Sequence, residues 1–248
     1  MKILIFALTF NCRDVLPFFL RHYETFADEI SVWDDGSDDG TRELLKAHPK
    51  VILRDWPHRT GIDEDLFLAH WQEWYPKARG EFDWVMIPDP DEFIYSPDML
   101  GLLALARSAG IEVIKPHGFN LVGDNFPKDD GHSQIYELNP MGVRAPVYGK
   151  PVIFQPHIKI NWIRGKHDLE HCDPVVGRET GLKLLHARYM GAEYTRAKNA
   201  KNYARCGLLS GDKGAAWSCS PGYDGPEKEH SPTWADAVRS RAVNVLKL

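Results

Sequence analysis

Short apolar runs alternate with segments of helical periodicity over residues 1–115, and this alternation constrains the fold more than any other feature. Strands are predicted over 3–8, 29–33, 51–54, 83–88 and 111–115. The helices predicted between them cover 15–26, 41–48, 62–78 and 96–109. Strands that alternate with helices in this way form a parallel sheet covered on both faces. The predicted fold class is therefore α/β, with a mostly parallel sheet flanked by helices.

The second half of the chain lacks this rhythm. Residues 117–150 are rich in Gly, Pro, Asn and Asp, which predicts long loops. The later elements are predicted as strands over 152–154 and 158–163, helices over 194–209 and 234–248, and a loop or lid over 210–232. No internal repeat or linker is visible, so we predict one domain over 1–248, with halves 1–115 and 116–248.

Composition excludes several classes of protein. The 248 residues include 30 Lys and Arg against 35 Asp and Glu, and 43% are apolar. These values are ordinary for a globular domain, and the mild acidity argues against nucleic-acid binding. No run reaches the ~18 apolar residues that a membrane span needs. Residues 234–248 could form a peripheral membrane helix, but a helix that docks on the domain's own core is favoured.

The N-terminus and the cysteines bear on cellular location. A lysine and an apolar run over 3–10 resemble a signal peptide, but the run is short and no small-x-small cleavage site follows. We therefore predict a buried first strand. The four cysteines, Cys12, Cys172, Cys206 and Cys219, have no C-x-x-C spacing, which excludes a zinc ribbon or thioredoxin motif. Scattered thiols are typical of reduced proteins, so a cytoplasmic location is predicted.

An acidic segment, Asp34-Asp35-Gly36-Ser37-Asp38-Asp39-Gly40-Thr41, follows the second predicted strand. Ligands of open parallel sheets bind at the carboxyl ends of the strands. A carboxylate fixed there could accept a base N–H or bond a ribose hydroxyl. The segment could equally be a turn followed by a helix that Asp38 or Asp39 caps. The residues alone do not decide between the two.

A second acidic segment follows the fourth predicted strand and contains Asp89-Pro90-Asp91-Glu92. Two carboxylates two residues apart on a stiff turn can hold Mg²⁺ or Mn²⁺, and such an ion can bridge diphosphate oxygens. The alternative is a solvated acidic turn. We favour a binding site, because three acids beside buried apolar residues are costly without a counter-ion.

Four histidines of the second half are further candidates: His157, His167, His171 and His186. A single histidine is more often structural than a ligand. His186 follows an apolar run, however, and a strand that ends there could bring its imidazole to the metal.

Together these motifs resemble a family 2-type glycosyltransferase of the GT-A fold, a Rossmann-like nucleotide-diphospho-sugar transferase. The resemblance covers about the first 95 residues. The matching segments are Asn11 with 16–23, then 32–41, then Trp84 with 89–93. The resemblance implies that 1–115 binds a nucleotide-sugar donor and that 116–248 binds the acceptor, a glycan or another hydroxyl compound.

The resemblance also implies roles for particular residues. Asp34, with Asp35 nearby, would contact the base or ribose, and Asp89 with Asp91 would form an Asp-x-Asp site for Mn²⁺ or Mg²⁺ and the diphosphate. His186 would complete the metal shell. Two further positions would bind the donor: Asn11 in the first loop, and Lys198 at a phosphate. Related sequences often have Asn-Glu where this chain has Asn11-Cys12.

The acceptor half offers three candidates for a general base: Asp124, Asp168 and Glu170. Many such enzymes invert the sugar anomer and use an acid to take the acceptor proton. A retaining mechanism would need no such base. Within the predicted lid, Trp217 and Tyr223 could stack on a sugar ring, although packing within the lid is favoured.

Two other functions are compatible with parts of the sequence. A haloacid-dehalogenase-like phosphotransferase also uses Asp-x-Asp after an apolar strand, and Asp124 with Asp129 and Asp130 resembles its later acidic motif. That family expects Thr or Val where this chain has Phe93. The other alternative is a non-catalytic GT-A-like module that binds a sugar or a partner without turnover.

Overall fold

The computed structural model describes residues 1–58, 61–170, 176–177, 181–206 and 240–248. The first part of the chain forms β1 (Ile3–Thr9), α1 (Leu16–Tyr23), β2 (Glu29–Asp34), α2 (Thr41–Ala47), β3 (Val51–Asp55), α3 (Glu64–Trp74) and β4 (Trp84–Met86). It continues with β5 (Glu92–Tyr95), α4 (Met99–Ser108) and β6 (Val113–Ile114). The remaining elements are β7 (His117–Gly123), α5 (Ile135–Leu138), β8 (Met141–Arg144), β9 (Ile153–Phe154), β10 (Val176–Gly177), β11 (Lys183–Met190), α6 (Ala192–Cys206) and β12 (Val243–Asn244).

The first sheet has seven strands in the order β10-β6-β9-β4-β1-β2-β3. Strands β3, β2, β1 and β4 are parallel neighbours, and β6 is parallel to β10. Strand β9 is antiparallel to both β4 and β6, so it alone opposes the other six. The order 3-2-1-4 is also that of the first four strands of doubly wound nucleotide-binding folds, whose full order is 3-2-1-4-5-6. The predicted α/β class, with a mostly parallel Rossmann-like sheet, is confirmed.

Strand β1 shows why the sheet is covered on both faces. Ile3, Ile5 and Ala7 pack in one hydrophobic cluster with α1, whereas Leu4 and Phe6 pack in a second cluster with Trp71 of α3. Successive side chains of a strand point to opposite faces, so an unbroken apolar run requires a helix on each side. The apolar run of β1 therefore correctly predicted a strand that is buried on both faces.

The second sheet has five strands in the order β12-β8-β7-β11-β5. The prediction of long loops over 117–150 is wrong, because β7, α5 and β8 lie in this range. The sequence of β7 is His-Gly-Phe-Asn-Leu-Val-Gly, and Gly118 and Asn120 hide its strand character. Strand β11 runs four residues beyond His186, to Met190.

The predicted strand over 158–163 is also wrong. Its alternate side chains Ile158, Ile160 and Trp162 are buried, which produces the period of two that favours a strand. The Tyr75 hydroxyl, however, bonds the carbonyl of Ile158 at 3.3 Å and the N–H of Ile160 at 3.1 Å. In the described segment only Trp162 forms a bridge, to Leu169. Alternate burial of these side chains therefore produced a strand-like sequence pattern, although the segment does not pair with a neighbouring strand.

The predicted helix over 234–248 is not found in its described part. Residues 240–248 contain β12 and a 3₁₀ turn over Val245–Lys247. The buried ammonium of Lys183 holds this end by donating to the carbonyls of Val245 at 2.6 Å and Leu248 at 2.9 Å. Among the described helices, none has the length and apolarity to cross a bilayer. The predicted lid over 210–232, with Trp217 and Tyr223, lies outside the described residues, as do His171, Cys172 and Cys219.

Candidate active site

A cavity of about 530 Å³ opens at the carboxyl edge of the first sheet. Its lining includes the end of β1, the following loop 10–12, and the Asp-x-Asp turn (residues 89–92) after β4. One wall is apolar and includes Leu8, Ile62, Phe67, Leu68 and Trp71. This size and this mixture of surfaces are typical of small-molecule sites.

Charged residues line the other wall. Seven described lining residues are basic: Lys150, Arg164, Lys166, Arg188, Lys198, Lys201 and Arg205. Five described lining residues are acidic: Asp14, Glu64, Asp89, Asp91 and Glu92. The described lining thus has two more positive than negative charges, although the whole chain has a net charge of −5. Such a local excess favours an anionic ligand.

Asp89 lies at the centre of a network of two acids and two lysines. Its Oδ1 accepts from Lys166 at 2.8 Å, and its Oδ2 accepts from Lys150 at 3.2 Å. Lys150 also donates to Glu92 Oε1 at 2.5 Å, and Glu92 Oε2 accepts the Asp89 N–H at 3.1 Å. The side chains of Lys150 and Glu92 are only 4% and 1% exposed. The turn is therefore fixed by a buried ionic network.

The pKa directions agree with this network. Burial alone would raise the pKa of Asp89, but Lys150 and Lys166 hold it below its ordinary value. Burial would likewise lower the pKa of Lys150, but Asp89 and Glu92 hold it above its ordinary value. Burial outweighs the lysine at Glu92, whose pKa is raised. Lys150 therefore stays charged within the network.

Strand pairing brings His186 to Asp91. Strand β11 pairs with β5 so that His186 lies opposite Glu92, and the Ala187 N–H donates to the Asp91 carbonyl at 2.8 Å. The His186 Nε2 lies 2.9 Å from Asp91 Oδ2, and its Nδ1 lies 2.9 Å from Asn120 Oδ1. Burial lowers the pKa of His186 to about 4 despite the nearby carboxylate. This imidazole is therefore neutral at pH 7.

Helix α6 presents a basic face to the cavity. Lys198, Lys201 and Arg205 lie three and four residues apart, so they share one face of the helix. Lys198 bonds the Oδ2 of Asp91, which His186 also contacts. Burial would raise the pKa of Asp91, but Lys198 and His186 hold it well below its ordinary value.

The same helix face reaches the loop after β1 and the acidic segment after β2. Lys201 donates to the carbonyl of Asn11, and Arg205 bonds Asp35. Arg205 also lies 4.3 Å from the centre of the Phe10 ring. Helix α6 thus joins the ends of β1, β2 and β4 around the cavity.

The carboxylate of Asp34 accepts hydrogen bonds from residues of its own turn. Its Oδ2 accepts the N–H groups of Gly36 at 3.1 Å and Ser37 at 3.0 Å, and it bonds Arg42 at 2.8 Å. Its Oδ1 accepts the Ser37 hydroxyl at 2.5 Å. Asp34 and Asp35, both described, are not among the residues that line the cavity. The N-cap position of α2 is Gly40, at φ 98°, and Asp39 Oδ1 accepts the N–H of Thr41, the first residue of the helix, at 3.0 Å.

Asn11 ties the first loop to the acidic segment. Its backbone is left-handed at φ 47°, and its side chain accepts from the Asp38 N–H at 2.9 Å and donates to Asp38 Oδ1 at 2.8 Å. Six sequence candidates are brought to the described lining of one cavity: Asn11, Asp89, Asp91, His167, His186 and Lys198.

The candidate bases lie elsewhere. Asp124 directly follows β7, Asp168 bonds Lys115 with its side chain 59% exposed, and the Glu170 N–H donates to Asn161. These three described residues are not among those that line the cavity. Glu64 does line it: its Oε2 accepts the Gly165 N–H at 3.2 Å, and burial raises its pKa.

The later acidic motif of the phosphotransferase alternative is not brought to the Asp-x-Asp turn. Asp129 pairs with Arg21 at 2.5 Å, and Asp130 accepts the Ser133 hydroxyl at 2.7 Å. Together with Asp124, these described residues are absent from the cavity lining. The constellation that this alternative requires is therefore not assembled.

Several basic residues of the site were not predicted from the sequence. The spacing of Lys201 and Arg205 after Lys198 could have been found by helical periodicity. Lys150 and Lys166 have no local signal, because tertiary pairing places them. The Ile87 N–H donates to Val152 at 3.0 Å, which brings the segment after Lys150 beside β4.

The side chains at the Asp-x-Asp turn show whether the predicted Mg²⁺ or Mn²⁺ would fit there. Within the described ranges, no three His, Cys, Asp or Glu side chains form a set that could hold a metal ion. Both oxygens of Asp89 accept from lysines, and the Asp91 oxygen that faces His186 accepts from Lys198. A divalent cation would lie against these ammonium groups and be repelled by them. The residues present therefore do not fit the predicted metal.

Fold and cavity together define an α/β protein with a cavity at the carboxyl edge of its sheet, whose described lining has more basic than acidic residues. No protein-family model and no curated protein matches the sequence. The chain is similar in structure to S. aureus TarS, with a TM-score of 0.44 and 14% identity over 84% of this chain. It spans 42% of that TarS chain.

Two crystal structures of TarS residues 1–349 are similar at the same level. The complex with UDP has a TM-score of 0.46 and 12% identity, and the complex with UDP-GlcNAc has 0.46 and 11%. Each covers 84% of this chain and 70% of its own.

Proposed function

We propose that this protein is a glycosyltransferase that takes its sugar from a nucleotide-diphospho-sugar donor. The observation that carries the proposal is the joining of three strand ends by the basic face of α6 over one cavity. Ligands bind at this edge in open α/β sheets. The sequence resemblance to family 2-type glycosyltransferases supports the same function.

The two walls of the cavity suit the two parts of such a donor. The apolar wall, with Phe67 and Trp71, would cover the base, and the basic wall would face the diphosphate. The described lining has an excess of two positive charges, which matches the two negative charges of a nucleotide-diphospho-sugar. Charge-assisted bonds from lysine to phosphate are stronger than neutral ones.

In the proposed reaction, the lysines of the site stabilise the departing nucleoside diphosphate. Lys150, Lys166 and Lys198 are held in place by the Asp-x-Asp turn before the donor arrives. Donors fixed in advance where charge develops lower the barrier without reorganising. Asp89, Asp91 and His186 would then position these ammonium groups.

An inverting transfer would also need a carboxylate to take the acceptor proton. Asp124, Asp168 and Glu170 remain predictions for this role and lie outside the described lining. Glu64 lines the cavity, and burial raises its pKa, which makes its carboxylate a stronger base. We propose Glu64 as the first base to test, by Glu64→Gln.

The experiment is the consumption of a panel of nucleotide sugars, with pooled hydroxyl acceptors, by the wild type and by Asp91→Asn. We expect one donor to release its nucleoside diphosphate. Asp91→Asn should lower that rate about 100-fold, the loss typical of a missing electrostatic contact. Asp98→Asn is the matched control, because Asp98 is an exposed N-cap of α4 and Asn caps equally well.

Each other result has a clear meaning. Nucleotide binding without consumption of any donor would contradict transfer and favour the non-catalytic module. If no nucleotide or nucleotide sugar binds or is consumed, the proposed function is wrong.

A further inference from the structure

We propose that the diphosphate site at the Asp-x-Asp turn is neutralised by lysine ammonium groups and works without a divalent metal. This inference rests on the proposed function. It follows from the partners of Asp89 and Asp91, the two carboxylates that would otherwise be the metal ligands.

Lys150 cannot leave Asp89 without a large cost. It lies between Asp89 and Glu92, with distances of 3.2 Å and 2.5 Å, and its side chain is 4% exposed. Glu92 is 1% exposed, so removal of Lys150 would leave a buried carboxylate without its ammonium partner. Breaking one side of such a pair is strongly unfavourable. The first cation on Asp89 is therefore part of the fold.

Lys166 occupies the other oxygen of Asp89. Its backbone is left-handed at φ 58°, a conformation that residues other than glycine seldom adopt. The ammonium donates to the Ile87 carbonyl at 3.2 Å and to Asp89 Oδ1 at 2.8 Å, and the side chain is 9% exposed. Both oxygens of Asp89 thus have a lysine before any ligand binds.

Lys198 takes the corresponding position at Asp91. It bonds Oδ2, the same oxygen that lies 2.9 Å from His186 Nε2. A metal shared by Asp91 and His186 would have to displace this ammonium. Lys198 belongs to the same face of α6 as Lys201 and Arg205, which bond Asn11 and Asp35.

These ammonium groups have capacity left for phosphate. An ammonium carries three N–H donors. Among described residues, Lys150 uses two on Asp89 and Glu92, and Lys166 uses two on Ile87 and Asp89. One donor of each remains for a phosphate oxygen. The turn therefore orients lysines toward an anion, the role that a divalent ion has in other diphosphate sites.

The test is calorimetric titration of UDP, GDP, CDP, ADP and TDP, each with excess chelator and each with Mn²⁺. We expect one of them to bind with affinities that agree within about twofold between the two conditions. In chelator, Lys198→Met should weaken its binding about tenfold to a hundredfold, the effect of one charged hydrogen bond. Lys198→Arg should keep most of the affinity, because the charge remains.

Lys46→Met is the matched control, since Lys46 is exposed on α2 and does not line the cavity. If Lys198→Met fails to fold by circular dichroism, Lys166→Met provides the same comparison. Wild-type binding that Mn²⁺ strengthens by about tenfold or more would overturn the lysine proposal and leave the proposed function standing. Absence of nucleotide binding in both conditions would overturn the proposed function and this inference with it.

Discussion

Two acidic turns leave the carboxyl edge of the first sheet, one after β2 and one after β4, and Asp34 in the first has a different kind of partner from Asp89 and Asp91 in the second. In the β2 turn, Asp34 accepts mainly from its own neighbours, Gly36 and Ser37, and pairs with Arg42. In the β4 turn, Asp89 and Asp91 bond lysines from distant segments.

The difference shows that residue type and strand-end position do not by themselves define a binding carboxylate. Local N–H groups leave Asp34 buried within the turn and outside the described lining. Asp89 and Asp91 bond lysines from distant segments, and both the carboxylates and the ammonium groups line the cavity. We therefore expect the β2 turn to contribute chiefly to stability and the β4 turn chiefly to ligand binding.

The largest expected effect on stability comes from breaking the ionic network of the β4 turn. Lys150→Met would leave Glu92 buried without its ammonium, so the free energy of unfolding should fall by about 3–5 kcal/mol. Denaturant unfolding measures it. The double variant Lys150→Met with Glu92→Gln should recover part of the loss, because no charge is then stranded. An equal loss in both variants would contradict the ionic account.

Acid should destabilise the β4 turn through His186. Its pKa is about 4 when folded and 6.5 ordinarily, so below pH 6.5 the unfolded state binds more protons. The resulting loss of stability should grow as the pH falls from about 6.5 to 4 and reach up to about 3 kcal/mol. His186→Gln should unfold with less pH dependence than the wild type.

The control for this effect is His132→Gln, because the His132 side chain is 80% exposed. It should leave the pH dependence of unfolding unchanged. If His186→Gln and the wild type lose the same free energy over this range, the buried imidazole does not make the predicted contribution.

The smallest of these effects is expected at the β2 turn and sharpens the contrast. Asp34→Ala removes the acceptor of two N–H groups and the partner of Arg42, so the free energy of unfolding should fall by about 2 kcal/mol. The affinity for the nucleotide that the wild type binds should change by less than about threefold. A loss of affinity as large as that of Lys198→Met would mean that Asp34 contacts the ligand.

Much of the first sheet was predictable from sequence, because β1 and β2 are buried on both faces and consist mostly of apolar residues. Strand β7 was missed because Gly118 and Asn120 interrupt its pattern. Residues 158–163 were mistaken for a strand because their alternate side chains are buried without a ladder. Local sequence patterns predict well which side chains are buried, but they do not predict which strand or helix covers them.

The site was predictable where its residues follow strands. Asp89 and Asp91 were expected at the cavity because strand ends carry ligands in this class of fold. His186 also lines the cavity, but it lies within β11 rather than at the end of the strand. Lys150 and Lys166 were not found, since sheet pairing and a left-handed residue bring them to Asp89. The prediction of Mg²⁺ or Mn²⁺ rested on the carboxylates alone, because the sequence does not show that these lysines bond them.

The most direct test of the central claim is a crystal structure of the protein with a nucleoside diphosphate bound. The account predicts that the diphosphate lies in the cavity, within hydrogen-bonding distance of Lys198 and of Lys150 or Lys166, and that the base lies against the wall that contains Trp71. A nucleotide bound elsewhere, or a diphosphate in the cavity that contacts none of these lysines, would contradict it.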